Sequence, residues 1–337
     1  MEKKRTPAKI FWITKDAGIN RILWYLILTA LLSAFCFITL HVWLLPYSVA
    51  FNETGVMTPG YFLYAAIGIL FSTPGPFVAV LIHSLFIERT GLKFMMRNIF
   101  RTEKKLKTVL VTGAFCLMAL VYALFCGTPN GSPWYMFILG LIVMIPFVGI
   151  AEEAGWRGVL QPELDKKLPY PVSVLLTAAI WCVWHYDAWI DPTSRHYDDS
   201  FIGFAITIFI WSFAMAAIYK ATKSVFACAF YHAFIDSIGA VYDWNALFDA
   251  FPGDLSVNVF RAVWLGTAIA IWVWGERKYR IMKKNAKQKG ALQFGMTPFD
   301  QHNCFSQQHS IKCCLSLHPN YSFIHITGRT PLSSKLT

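Results

Sequence analysis

Charge is scarce in this chain: Asp, Glu, Lys and Arg make up only 15% of its 337 residues, against about 25% in soluble domains. With a hydrophobic fraction of 56%, that shortage nearly excludes a soluble protein. Cys-x-x-Cys is absent, and five of the eight cysteines (Cys36, Cys116, Cys126, Cys182, Cys228) lie inside apolar stretches. Neither a zinc ribbon nor a disulfide framework is indicated. His-Glu-x-x-His and Gly-x-Ser-x-Gly are missing too, which removes two common hydrolase signatures. The Tyr186-Asp187 and Tyr242-Asp243 pairs lack the Gly-x-Gly-Asp partner of an intramembrane aspartyl site. No internal repeat suggests a transporter built from two halves.

What the chain does have is long apolar runs. Crossing a hydrocarbon core of about 30 Å takes about 20 apolar residues, and candidates lie near 22–46, 61–87, 108–126, 134–160, 171–190, 201–219, 224–247 and 259–275. Backbone groups in lipid must bond within their own segment, so these runs are expected to be helices. The expected fold class is all-α, a polytopic membrane protein of about eight transmembrane helices with a four-helix catalytic core.

The net charge of +11 would suggest nucleic acid in a soluble chain. Here the basic residues cluster in alternate loops: six up to Arg21, seven in 88–107, two in 161–170, two in 220–223 and seven in 276–290. That bias marks one side of the membrane as cytoplasmic and places both termini there. The simple loops suggest a bacterial plasma membrane, with the bilayer as partner and no nucleic acid. The expected organisation is a basic cytoplasmic N-terminus (1–21), three spans with a basic loop (22–133), a catalytic core (134–250), a last span with a basic segment (251–290) and a disordered tail (291–337).

An ionisable group at mid-bilayer costs roughly 2.5–3.5 kcal/mol on insertion scales, so the few inside spans carry information. Glu152, Glu153 and Arg157 fall in the fourth, His185 in the fifth, and His232 and Asp236 in the seventh. Residues four apart share a helix face. Glu153 and Arg157 therefore read as a self-neutralising structural pair, whereas Glu152, turned about 100° away, keeps its carboxylate for general-base work. His232 and Asp236 form a second such pair, whose plain reading is an imidazole oriented by a carboxylate. His41 and His83 read as packed residues. Depth poses a problem, since Glu152 stands near the cytoplasmic end of its span and His185 late in the next. They meet only if the fourth span extends further or the fifth begins well outside the membrane, and Pro146 adds a bend.

Ala151-Glu152-Glu153-Ala154-Gly155-Trp156-Arg157-Gly158, then Trp181 to His185, then His232 to Asp236 together resemble the three motifs of the CPBP or Abi family of intramembrane peptidases. That family contains the CAAX prenyl protease 2 and bacteriocin-processing enzymes, and the likeness covers about residues 134–245. It implies a hydrolase, an endopeptidase in which Glu152 and His185 hold and activate a water while His232 and residue 236 stabilise the oxyanion. Glu153 and Arg157 would support them. Asp236 stands where the family often has Asn, and an ionised Asp accepts but does not donate, so it would act protonated or through His232. The expected partner is a peptide or protein substrate presented from or near the membrane. No cofactor is expected, with zinc as the alternative, because two His and a carboxylate also form a zinc set. Competing readings are a catalytically inactive scaffold or bacteriocin-immunity protein and a proton-coupled transporter.

Overall fold

The computed structural model describes residues 17–194, 196–243 and 255–293. Contacts divide the chain after Gly275, and the candidate site lies in the first unit, Met1–Gly275. Its helices, in chain order, are α1 (Ala17–Thr54), α2 (Pro59–Ser72), α3 (Gly75–Ile87), α4 (Leu92–Phe100), α5 (Lys105–Cys126) and α6 (Tyr135–Asp165). They continue with α7 (Tyr170–Trp184), α8 (Phe201–Thr222), α9 (Val225–Ile238) and α10 (Leu255–Gln293), the last running on past Gly275. One antiparallel pair, β1 (Thr128–Pro129) with β2 (Tyr242–Asp243), ties the α5–α6 connection to the segment after α9.

Local chemistry sets the helix ends. Hydroxyls at Thr58, Ser200 and Ser224 accept from the backbone N–H groups of Tyr61, Gly203 and Ala227, each at 3.2 Å, which satisfies donors that a helix start leaves open. Gly55 closes α1 at φ 69°, a left-handed conformation that costs glycine little.

The protein is an all-α polytopic membrane protein. Among the described residues, five helices are long and apolar enough to cross a bilayer: α1, α5, α6, α8 and the part of α10 from Leu255 to Trp274. The pair α2 and α3, bent by 58°, makes a sixth if counted as one span. The other two expected spans are shorter. At 1.5 Å per residue, the 15-residue α7 and the 14-residue α9 reach only about 22 and 21 Å. The expected 171–190 run leaves the α-helix at His185, where a 3-10 turn (Tyr186–Trp189) begins, and the 224–247 run leaves it at Gly239. Of the expected tail, residues 291–293 belong to α10 and 294–337 lie outside the described residues, as do residues 1–16 of the basic N-terminus.

Polarity is distributed as a bilayer demands. Leu106, Val109, Leu110, Leu117 and Phe125 point outward from α5, while the interior packs Trp156, Trp181, Tyr231 and Trp264 beside buried polar groups. Trp264 Nε1 donates to the Tyr231 hydroxyl at 2.8 Å, which satisfies the one polar atom of that buried indole.

α6 carries two π-helical turns, Ile145–Ile150 and Trp156–Leu160, on either side of Ala151–Gly155. Pro146 opens the first; with no N–H to donate it favours a departure from the α pattern. Gly149 then lies so close to α9 that an added Cβ would collide with the Ala229 carbonyl. Such close backbone approach presses the segment with Glu152 and Glu153 against the helix that carries His232.

Candidate active site

α6 and α7 are joined by the four residues 166–169. Glu152 stands 13 residues before the end of α6, about 20 Å along its axis, and His185 lies 15 residues after the start of α7, about 22 Å. The two heights match. The depth problem in the sequence arose from ending the fourth span at residue 160, whereas α6 runs on to Asp165.

Glu152 is buried, and its carboxylate is held by indoles. Oε2 accepts from Trp181 Nε1 at 2.6 Å and from Trp156 Nε1 at 3.4 Å. The sequence had it without a partner; the donors are one turn ahead on its own helix and one turn before His185 on α7. An indole N–H is a donor only, so it orients a carboxylate while adding no full charge.

Glu153 points to the other side, as the 100° rotation requires. Its Oε1 accepts from Arg157 Nη1 at 3.0 Å and from His232 Nδ1 at 3.1 Å. Arg157 in turn donates through Nη2 to Ser212 Oγ at 2.8 Å and sets its guanidinium 5.2 Å from the Trp181 ring centre. Glu153 and Arg157 have no exposed side-chain surface. The pair expected to be self-contained is thus the hub that joins α6, α8 and α9, and Ser212 had no signal in the sequence.

His232 has a carboxylate at each ring nitrogen, with Glu153 at Nδ1 and Asp236 Oδ2 3.6 Å from Nε2. The Trp181 ring crosses it edge-on at 5.2 Å. His185 puts Nδ1 2.9 Å from the Trp181 carbonyl. A carbonyl can only accept, so Nδ1 carries the hydrogen and the neutral ring keeps Nε2 as an acceptor.

A cavity of about 580 Å³ collects these groups: Glu152, Trp181, His185, His232 and Asp236 line it. Glu153 and Arg157 do not, which separates the residues that face the cavity from those that brace them. His196 and Asp199, from the loop before α8, line the same cavity and were not singled out in the sequence. His41 lies 3.5 Å from Asp191 and His83 3.9 Å from Glu88, away from this cavity. Among the described residues no three His, Cys, Asp or Glu side chains are grouped as a metal ion would need.

Fold and site together define a polytopic membrane protein whose spanning helix α6 presents a carboxylate to two histidines inside one cavity. Residues 134–238 match the family model described as Rce1-like, type II CAAX prenyl endopeptidase. The match runs from the residue before α6 to the end of α9, with all three motifs inside it, and is a likeness of that segment to a CAAX-type membrane protease family. No curated protein matches the chain.

Proposed function

We propose that the protein is an intramembrane endopeptidase that hydrolyses a peptide bond with a water activated by Glu152 and His185. The observation that carries this reading is the shared cavity, with Glu152 Oε2 fixed by Trp181 at 2.6 Å beside His185, His232 and Asp236. Glu152 takes the proton of the attacking water, and His185 accepts from that water through Nε2. His232 faces the charge that develops on the carbonyl oxygen, and Asp236 acts through His232 because a carboxylate itself would repel an oxyanion. Glu153 and Arg157 position His232 and Trp181. The substrate is a peptide or protein segment presented from or near the bilayer, with both termini of the enzyme cytoplasmic in a bacterial plasma membrane. The working core is residues 134–250.

The test is cleavage of a library of membrane-anchored peptides by the detergent-purified protein and by Glu152→Ala, with and without a strong chelator. Cleavage that disappears in the variant and withstands chelation is expected. Loss on chelation would replace the glutamate reading with a metal one. An unaltered phenotype in cells carrying Glu152→Ala would point to the scaffold or immunity reading, and pH-dependent flux to a transporter.

A further inference from the structure

The loop between α7 and α8 holds a histidine–carboxylate pair that the three motifs do not include. His196 Nδ1 stands 2.6 Å from Asp199 Oδ2, and a carboxylate accepts, so Nδ1 donates. The imidazole stacks on Trp189 at 5.3 Å with 15° between the planes, and Trp189 Nε1 donates to the Asp199 backbone carbonyl at 2.8 Å. One tryptophan thus clamps both members of the pair. The loop is itself fastened, since Asp191 accepts from the Thr193 backbone N–H and hydroxyl, each at 2.7 Å, and from the Tyr64 hydroxyl at 2.8 Å. Phe204 touches the rings of both His185 and His196, at 5.3 and 6.0 Å. The two imidazoles therefore border the same stretch of the cavity that Glu152 lines.

Peptide hydrolysis needs two proton transfers in different places. A base takes a proton from water, and the departing nitrogen must receive one, because an amide anion does not leave. We propose that His196, oriented by Asp199, is a further catalytic residue that protonates the leaving amine, an inference that rests on the peptidase reading above. The water oxygen bonds to the carbonyl carbon as one O–H bond breaks and its proton passes to Glu152. The C–N bond then breaks as the nitrogen takes the Nε2 proton of the His196 imidazolium, releasing a carboxylic acid and an amine. The Glu152 proton returns through water to the neutral His196, which restores both groups. A fixed carboxylate behind the imidazole holds one tautomer and one orientation throughout, as such pairs do in other hydrolases.

The experiment compares one membrane-anchored peptide having an ordinary scissile amide with the same peptide carrying a thioester at that bond. A thiolate leaves without a proton. His196→Gln is expected to lower kcat on the amide by about 100-fold or more, in the range for a lost general acid, and on the thioester by no more than about threefold. Asp199→Asn is expected to show a weaker loss confined to the amide, and it decides the matter if His196→Gln does not fold. Equal losses on both substrates at an unchanged unfolding midpoint would show a structural clamp and overturn the proposal, as would unchanged kcat on the amide. Failure of the unsubstituted protein to cleave either substrate would instead remove the peptidase reading, and this one with it.

Discussion

Arg157→Met removes a charge from the most enclosed ion pair among the described residues while keeping an apolar side chain in its place. Both members of the pair have fully buried side chains, with Arg157 Nη1 3.0 Å from Glu153 Oε1, and Glu153 Oε2 has no hydrogen-bond partner among the described residues. Once the guanidinium is gone, the Glu153 carboxylate keeps His232 as its donor and loses its counter-charge. Removing one partner of a buried pair costs about 3–5 kcal/mol, because the other charge stays buried uncompensated. Ser212 Oγ also loses a donor at 2.8 Å, and the Trp181 ring loses the cation 5.2 Å from its centre. The assay is equilibrium unfolding in one detergent of the unsubstituted protein, Arg157→Met, Glu153→Gln and the double variant. Arg157→Met is expected to lose about 3–5 kcal/mol, and the double variant to lose clearly less than the two single losses added, since it removes both charges together. A loss in Arg157→Met below about 1 kcal/mol, or strict additivity, would refute the view that this pair is a buried electrostatic hub.

Two further outcomes follow from single contacts. Trp181→Phe deletes the indole N–H that holds Glu152 at 2.6 Å; a hydrogen bond to a charged group is worth about 1.5–3 kcal/mol, so unfolding stability should fall by about that much and peptide cleavage by the folded variant should fall as well, and full activity would show that the indole does not place the base. Gly149→Ala puts a Cβ onto the Ala229 carbonyl, and forcing extra volume into a packed contact costs about 1–3 kcal/mol; a midpoint equal to that of the unsubstituted protein would show that α6 and α9 have room to part.

Much of the candidate site could be read from the chain because a bilayer penalises ionisable groups, so those that persist inside apolar runs stand out. Glu152, His185, His232 and Asp236 were found that way, and the cavity gathers all four. The i, i+4 rule also separated Glu152 from Glu153 correctly, because it depends only on helix geometry. It named Arg157 as a partner of Glu153 but not the partners that come from other helices. Trp181, 29 residues away, donates to one, and His232, 79 residues away, donates to the other. No local spacing encodes such pairings. His196 and Asp199 escaped notice for a different reason: they lie between spans, where polar residues are common and carry no penalty that would mark them.

By itself, the sequence determined that the backbone would fold into apolar helices, roughly where they would lie, and that Glu152, Glu153, Arg157 and His232 would be enclosed among them. These follow from composition and period, properties that a chain has before it folds. Tertiary structure decided which helices are too short to cross alone, how far α6 extends, and the facing of Trp181 and Glu152 across two helices. It also decided that one loop histidine would join the cavity. Such outcomes depend on contacts between segments distant along the chain, where packing and hydrogen-bond satisfaction select among arrangements that the hydrophobic pattern alone leaves equally open.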